Sequence, residues 1–238
     1  LLDFLKKNKV DTACVYRDIE RKTGLVFVFL DEKGERDFSF YGEPSADQFL
    51  NEKEIKKSYI KQAKMLHFGS IGMMNEISRK ATLKAINVAR DNKIFISYDP
   101  NVRLNLWEGR HTQARQEIKN YFKHADVIKI SDDELQFLFD SKPEPDRVKR
   151  IFRKNQIVFI SAGAKGCYVY RNNFFKYVSG YKVKVKDTTG AGDAFMAGVI
   201  FGILKNNGLK NITNEELTKI AGFANKKGAE AVQRKGAV

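Results

Sequence analysis

The sequence predicts an α/β domain whose mainly parallel sheet is covered on both faces by helices, with a small β element set apart near the amino end. Three observations predict it. From Met65 onward, short apolar runs of strand length alternate with stretches of helical periodicity. Those runs are mainly apolar rather than strictly alternating, in the manner of parallel strands buried on both faces. Before them, Arg36–Tyr41 alternates polar with aromatic residues, the pattern of a half-exposed hairpin strand.

Taken in order, residues 1–8 read as the tail of an amphipathic helix. Residues 23–30 and Arg36–Tyr41 read as a hairpin turning at Asp31-Glu32-Lys33-Gly34, with Gly34 where a positive φ is needed. This β element occupies about 12–43. Its Phe27, Phe29, Phe38 and Phe40 predict an apolar surface that a ligand or a second chain must cover. Strands are then expected at 65–68, 94–98, 127–130 and 157–160, with helices over 75–92, 112–123, 132–140 and 146–154 between and after them. Shorter strands at 167–170, 174–178 and 181–185 precede two closing helices. No internal repeat or low-complexity linker interrupts the pattern, so 1–238 reads as one domain.

The function classes narrow from composition. The chain carries 43 Lys and Arg against 29 Asp and Glu, a formal charge of +14. These cations are spread through every segment without interleaved aromatics, so a nucleic-acid partner is not expected and attraction for a polyphosphate substrate suffices. No apolar run approaches the ~20 residues that cross a bilayer, so no membrane partner is expected and a cytoplasmic setting is. Cys14, Cys167, His67, His111 and His124 lie in no metal-ligand spacing.

In open α/β sheets, ligands gather at the carboxyl ends of the strands. Asp99-Pro100-Asn101, Ser131 and Gly163 fall there. The decisive stretch is Asp187-Thr188-Thr189-Gly190-Ala191-Gly192-Asp193-Ala194-Phe195, immediately before a helix expected to run to about residue 206. Its glycines permit unusual backbone angles, and the free N–H groups of a first helical turn converge on an anion. Asp193 stands inside that anion site. A carboxylate beside phosphate is repulsive, but a base that takes a proton from a hydroxyl attacking phosphorus belongs there. A bare G-x-G-D is equally a tight helix start with a favourable dipole contact; the nine-residue run is far more specific. It lacks the G-x-x-x-x-G-K-[ST] pattern of a Walker A loop.

D-T-T-G-A-G-D-A-F resembles the C-terminal signature of the ribokinase-like, or PfkB, carbohydrate kinases, and the resemblance extends along nearly the whole chain. It implies a three-layer α/β/α fold with a β-clasp lid at the early hairpin, a lid that often forms a homodimer interface. It implies ATP and Mg²⁺, with K⁺ as a monovalent cation. Asp193 would be the base for the sugar hydroxyl, and the amides of Gly190, Ala191 and Gly192 the anion hole. Asp187 and the Thr189 carbonyl would hold the monovalent cation, with carbonyls around 232–236 completing its shell.

Other segments agree. Lys129-Ile130-Ser131-Asp132-Asp133-Glu134 resembles the family's N-x-x-E segment, with Ser131 in place of Asn; Glu134 would order Mg²⁺ through water. Alone, Glu134 reads as a first-turn helix charge. Ser161-Ala162-Gly163-Ala164-Lys165-Gly166 resembles the nucleotide-side loop, making Ser131, Gly163, Lys165, Gly166 and Asn225 the expected ATP contacts. Asp99-Pro100-Asn101-Val102-Arg103 with Leu106-Trp107 resembles the D-P-N-x-R-x-x-L-W run of fructokinases and 2-keto-3-deoxygluconate kinases. Asn101 and Arg103 would contact the sugar, which this run and Ala46-Asp47 make fructose. The alternatives are a 2-keto-3-deoxygluconate kinase, a ribokinase, or a catalytically silent binding homologue. The family's opening strand and G-G-x-x-x-N segment find no counterpart, so a domain lacking its amino-terminal part is expected.

Overall fold

A computed structural model describes residues 1–30, 36–41, 44–206, 208–209 and 211–236, with the side chains of 28, 30 and 36–40 left outside the description. After α1 (Leu2–Lys7), β1 (Leu25–Leu30) and β2 (Arg36–Tyr41) form an antiparallel two-stranded sheet of their own. The expected hairpin therefore stands apart from the main sheet; its turn, 31–35, lies outside the described residues. Phe27 and Phe29 are exposed, while the Phe38 and Phe40 side chains fall outside the description.

A short helix α2 (Lys57–Ile60) leads into the main sheet. This contains β3 (Met65–Gly69), β4 (Phe95–Asp99), β5 (Val127–Ser131), β6 (Ile157–Ser161), β7 (Gly166–Arg171) and β8 (Phe174–Ser179), paired in chain order. Strands β3 to β6 are parallel; β7 and β8 are antiparallel additions. The helices α3 (Glu76–Asp91), α4 (His111–Tyr121), α5 (Asp132–Phe139) and α6 (Pro145–Ile151) bury Ile86, Ile118, Leu135 and Val148 in one core, with Ile128 and Ile130 from β5. The other face of the sheet, with Val127 and Phe159, meets α7 (Ala191–Lys205) and α8 (Asn214–Ala231). The three-layer α/β/α fold follows.

Local sequence explains the helix starts. Asn75 caps α3 by accepting from the Ile77 amide at 2.8 Å, and Thr213 with Glu216 forms a reciprocal capping box on α8. Helices α7 and α8 pack closely because a Cβ at Gly198 would lie 2.9 Å from Ala224 Cα.

One expected strand is absent. Residues 181–185 alternate as a strand should, yet they form no ladder. The last strand, β8, is already paired with β7 and turns away at Gly180. Tyr181 and Val185 stay half exposed, and the segment forms the wall of a cavity instead. Two helix ends also fall short. Helix α4 stops at Tyr121, giving way to a 3-10 turn, and α6 stops at Ile151, where Phe152 turns extended at φ −105°, ψ 145°.

Candidate active site

The carboxyl ends of the parallel strands and the amino end of α7 lie together. Gly190 caps α7 at φ 77°, in the left-handed region that a side chain would strain. The Ala191 amide donates to the Thr188 carbonyl at 3.2 Å, and the first intrahelical bond runs from the Ala194 amide to Gly190 O at 2.8 Å. Between them, the Gly192 and Asp193 amides belong to the first turn, which has no acceptor within the helix. Asp193 is exposed in that turn and makes no ion pair among the described residues.

Beneath the turn lies a charge that the motif reading overlooked. A Cβ on Gly192 would sit 3.2 Å from Lys129 Nζ. Lys129, 5% exposed, comes from the middle of β5 and pairs with both carboxylate oxygens of Asp99, each at 3.1 Å. Asp99 Oδ1 also accepts from the Asn101 amide at 3.2 Å, within a strand exit where Asn101 itself adopts φ 44°. Burial pushes the Asp99 carboxyl up to about 6; Lys129 opposes this, while Glu134 and Asp193 add to it. The signal in the sequence was a lone lysine inside an otherwise apolar buried strand.

Glu134 bridges two loops. Its Oε2 accepts from the Ser131 amide at 2.8 Å and its Oε1 from the Val102 amide at 2.7 Å, while Ser131 Oγ accepts from the Glu134 amide at 3.0 Å. Ser131 thus serves as the N-cap of α5. Downstream, Trp107 is buried in the core and Leu106 packs against it, so the L-W end of the D-P-N run anchors the loop that carries Asn101 and Arg103. The Arg103 guanidinium reaches only the Val102 carbonyl, at 3.3 Å, among the described residues.

On the other side of the α7 start is a cavity of about 430 Å³, lined by Gly163, Val183, Gly192, Asn225, Ala229 and Val232 among others. Its walls are largely apolar and it ends at the α7 first turn, a shape that fits a nucleoside with phosphates reaching the free amides. Gly163 stands in the lining at φ 54° with open space around its Cα. Lys165 does not line the cavity. Gly166 lines it, but a Cβ there would lie 2.2 Å from Val178 O, so the β7–β8 crossing alone requires glycine. Asn225, on α8, donates from Nδ2 to the carbonyls of Val178 and Ser179 at 3.1 and 3.0 Å. Its amide fixes the end of β8 at the cavity wall.

Asp187 closes the site from behind. Its Oδ1 accepts from the Thr189 amide at 2.8 Å and its Oδ2 from the Gly236 amide at 2.9 Å. Val232 O accepts from the amides of Lys186 and Asp187 at 2.7 and 3.2 Å. The 187–189 and 232–236 segments are therefore adjacent, although the Val232 carbonyl already has protein donors. No cluster of three or more His, Cys, Asp or Glu that could hold a metal occurs among the described residues. A single carboxylate such as Glu134 suits a magnesium ion, which keeps several waters and leans on substrate phosphates. No helix among the described residues is long and apolar enough to cross a membrane.

The model of the pfkB family carbohydrate kinases matches residues 1–238. A protein of Arabidopsis thaliana named probable fructokinase-5 is 40% identical over 240 residues, covering 100% of this chain and 74% of that protein. A crystal structure of fructokinase from Vibrio cholerae O395 with fructose, ADP and calcium ion bound superposes with a TM-score of 0.87 at 33% identity, covering 99% of this chain and 75% of that one. A double mutant of that enzyme, with fructose, ADP and potassium ion bound, gives 0.86 at 32% identity and the same coverage.

Proposed function

Because the chain belongs to the pfkB family of carbohydrate kinases, we propose that it phosphorylates fructose with ATP. The observation that carries the chemistry is the position of Asp193, one residue beyond Gly192 in a first turn with free amides. The sugar hydroxyl attacks the γ-phosphorus; the new O–P bond forms as the bond to the ADP oxygen breaks, and the hydroxyl proton passes to the Asp193 carboxylate. The amides of Gly190 and Gly192 face the charge that spreads over the transferred group, while the Ala191 amide is given to the Thr188 carbonyl. Asn101 and Arg103 sit on the anchored loop at the β4 end, where a sugar lies across from Asp193. Adenosine lies in the cavity between Gly163, Asn225 and the 181–185 wall.

Glu134 would hold a magnesium ion through water, and the bound ion would supply charge neutralisation for the ATP phosphates. A monovalent cation fits beside Asp187 and the Thr189 carbonyl, as the potassium of the related bacterial enzyme suggests. The hairpin's exposed Leu25, Phe27, Phe29 and Tyr41 suit a lid over the sugar and a homodimer contact. Two cysteines left as free thiols suit a cytoplasmic setting.

The test is a coupled assay of ADP release with ATP, Mg²⁺ and a panel of fructose, ribose, glucose and 2-keto-3-deoxygluconate. Fructose should give the highest kcat/KM. Preference for 2-keto-3-deoxygluconate would reassign Arg103 to the acid group of that substrate and overturn the choice of fructose.

A further inference from the structure

The interior face of the sheet under α7 is polar where the rest of the core is apolar. On three adjacent strands, His67 Nδ1 lies 3.0 Å from Ser97 Oγ, and Asp99 pairs with Lys129. On the next strand the layer becomes apolar again at Phe159. Both members of the Asp99–Lys129 pair are almost completely buried, at 3% and 5% exposure. Such a pair is weak evidence for stability, because desolvating two charges costs about as much as their attraction returns, often several kcal/mol per ion. A fold needing only a packed core would place apolar side chains here, as it does at Phe159 on the neighbouring strand.

The pair is also aimed. Lys129 Nζ rests under Gly192, close enough that a Cβ there would crowd it at 3.2 Å. Asp99 holds the ammonium from the opposite side and, through Oδ1, also orients the Asn101 amide of the sugar-side loop. One ion pair thus touches the floor of the anion site and the root of the loop carrying Asn101 and Arg103.

We infer that Lys129, held by Asp99, is a positioning residue for phosphoryl transfer: it supplies a fixed positive charge beneath the Gly192 turn where the transferred phosphoryl group gathers negative charge. The inference rests on the kinase reading of this site. A buried cation acts strongly because little water screens it, and a pre-fixed one needs no reorganisation as the reaction proceeds. Asp99 balances that charge while the site is empty and holds the ammonium in place. A side chain at 192 would press on the ammonium from 3.2 Å and make it yield by a few tenths of an ångström.

The test compares wild type with Lys129→Met and with the double variant Lys129→Met/Asp99→Asn. Removing Lys129 alone strands a buried carboxylate, whereas the double variant leaves no unpaired charge and should keep the wild-type fold and melting temperature within a few degrees. Both variants should lower kcat by about 10²-fold, the scale of losing one stabilising group at a developing oxyanion, with KM for ATP and sugar within about threefold. A second readout needs no sugar specificity. Calorimetry of ADP–Mg²⁺ binding, with and without aluminium fluoride as a mimic of the transferred group, should show ADP affinity unchanged and the fluoride-dependent tightening reduced by about 10²-fold. A double variant that keeps kcat within about threefold, or the full fluoride tightening, makes the pair purely structural and overturns the inference. Failure of the wild type to phosphorylate fructose would count against the choice of substrate alone, because the fluoride measurement would still read the anion site.

Discussion

Glu134 holds the backbone amide of Val102 at 2.7 Å, joining the first turn of α5 to the loop that follows β4. Its other oxygen holds the Ser131 amide, so one carboxylate fixes two loops at the carboxyl edge of the sheet. Each oxygen retains a lone pair beyond its backbone bond, enough to accept a water of a hydrated cation. The capping role and the Mg²⁺ role are compatible for this reason, and they separate by experiment. Glu134→Ala leaves two half-buried amides without acceptors, at about 1–3 kcal/mol each, and should lower the urea midpoint accordingly. It should also raise the Mg²⁺ concentration needed for half-maximal velocity several-fold. A destabilised variant with an unchanged Mg²⁺ requirement would leave Glu134 with the capping role only.

Asp193 is exposed and unpaired in the α7 first turn, so its replacement should cost little stability. Asp193→Ala should therefore melt within a few degrees of wild type and still bind ADP, while kcat falls by about 10³-fold or more, from the middle of the range usual for removing a general base upward. Calorimetric binding of ADP beside a turnover assay checks both halves. A variant retaining a tenth of the wild-type kcat would remove Asp193 from the role of base.

Much of this arrangement was legible before any coordinates. The strands β3 to β6 announced themselves as mainly apolar runs, and the glycines at 190 and 192 marked the α7 start. Residues 181–185 misled because alternation reports a side chain's surroundings, not whether a neighbouring strand is available for pairing. Gly166 was assigned to the nucleotide although a Val178 carbonyl 2.2 Å from its missing Cβ already requires it; sequence spacing carries no information on such crossings. Lys129 was hidden for the opposite reason. It lies five residues before Glu134 inside a strand, and only the fold brings it under Gly192, 63 positions downstream.

The buried Asp99 carboxyl gives stability an unusual pH dependence. Its folded-state value of about 6 lies above the ordinary carboxylate value of 3.8. Between those values the folded protein binds more protons than the unfolded chain, so this group's contribution falls as pH rises from about 4 to 6 and is constant above. The comparison is with the Lys129→Met/Asp99→Asn protein, which has no titrating group at either position over that range. From pH 4.5 to 6.5, wild type should lose stability relative to it by roughly 2 kcal/mol, the slope staying below its limit of 1.36 kcal/mol per pH unit. Denaturant midpoints of both proteins across that interval measure the difference. A difference that stays flat, or that grows in favour of wild type, would show that Lys129 keeps Asp99 ionised well below pH 5.

The last prediction concerns Asp187, which lies where the two chain segments behind the anion site meet. Its two oxygens are already committed to the amides of Thr189 and Gly236, 49 residues apart in the latter case. Val232 O ties the same segments from the other side by accepting from Lys186 and Asp187. A monovalent cation placed among the Thr189 carbonyl and the 232–236 backbone would therefore stabilise a junction that the protein has already drawn together. It would add positive charge close behind the turn at Gly190. On this view K⁺ acts by fixing the turn, and Asp187 is needed both to shape the junction and to balance the cation's charge. Asp187→Ala should then abolish activation by K⁺ and lower kcat by about 10-fold or more, since a turn displaced by even about 1 Å loses much of its alignment. Asp187→Asn, which keeps an acceptor for one of the two amides but not the charge, should preserve the melting temperature better than alanine while still losing the K⁺ response. The measurement is kcat against KCl at constant ionic strength, with tetramethylammonium as the balancing cation. An asparagine variant activated by K⁺ with the wild-type half-saturation would move the cation away from Asp187 and leave this carboxylate as a tie between the two segments.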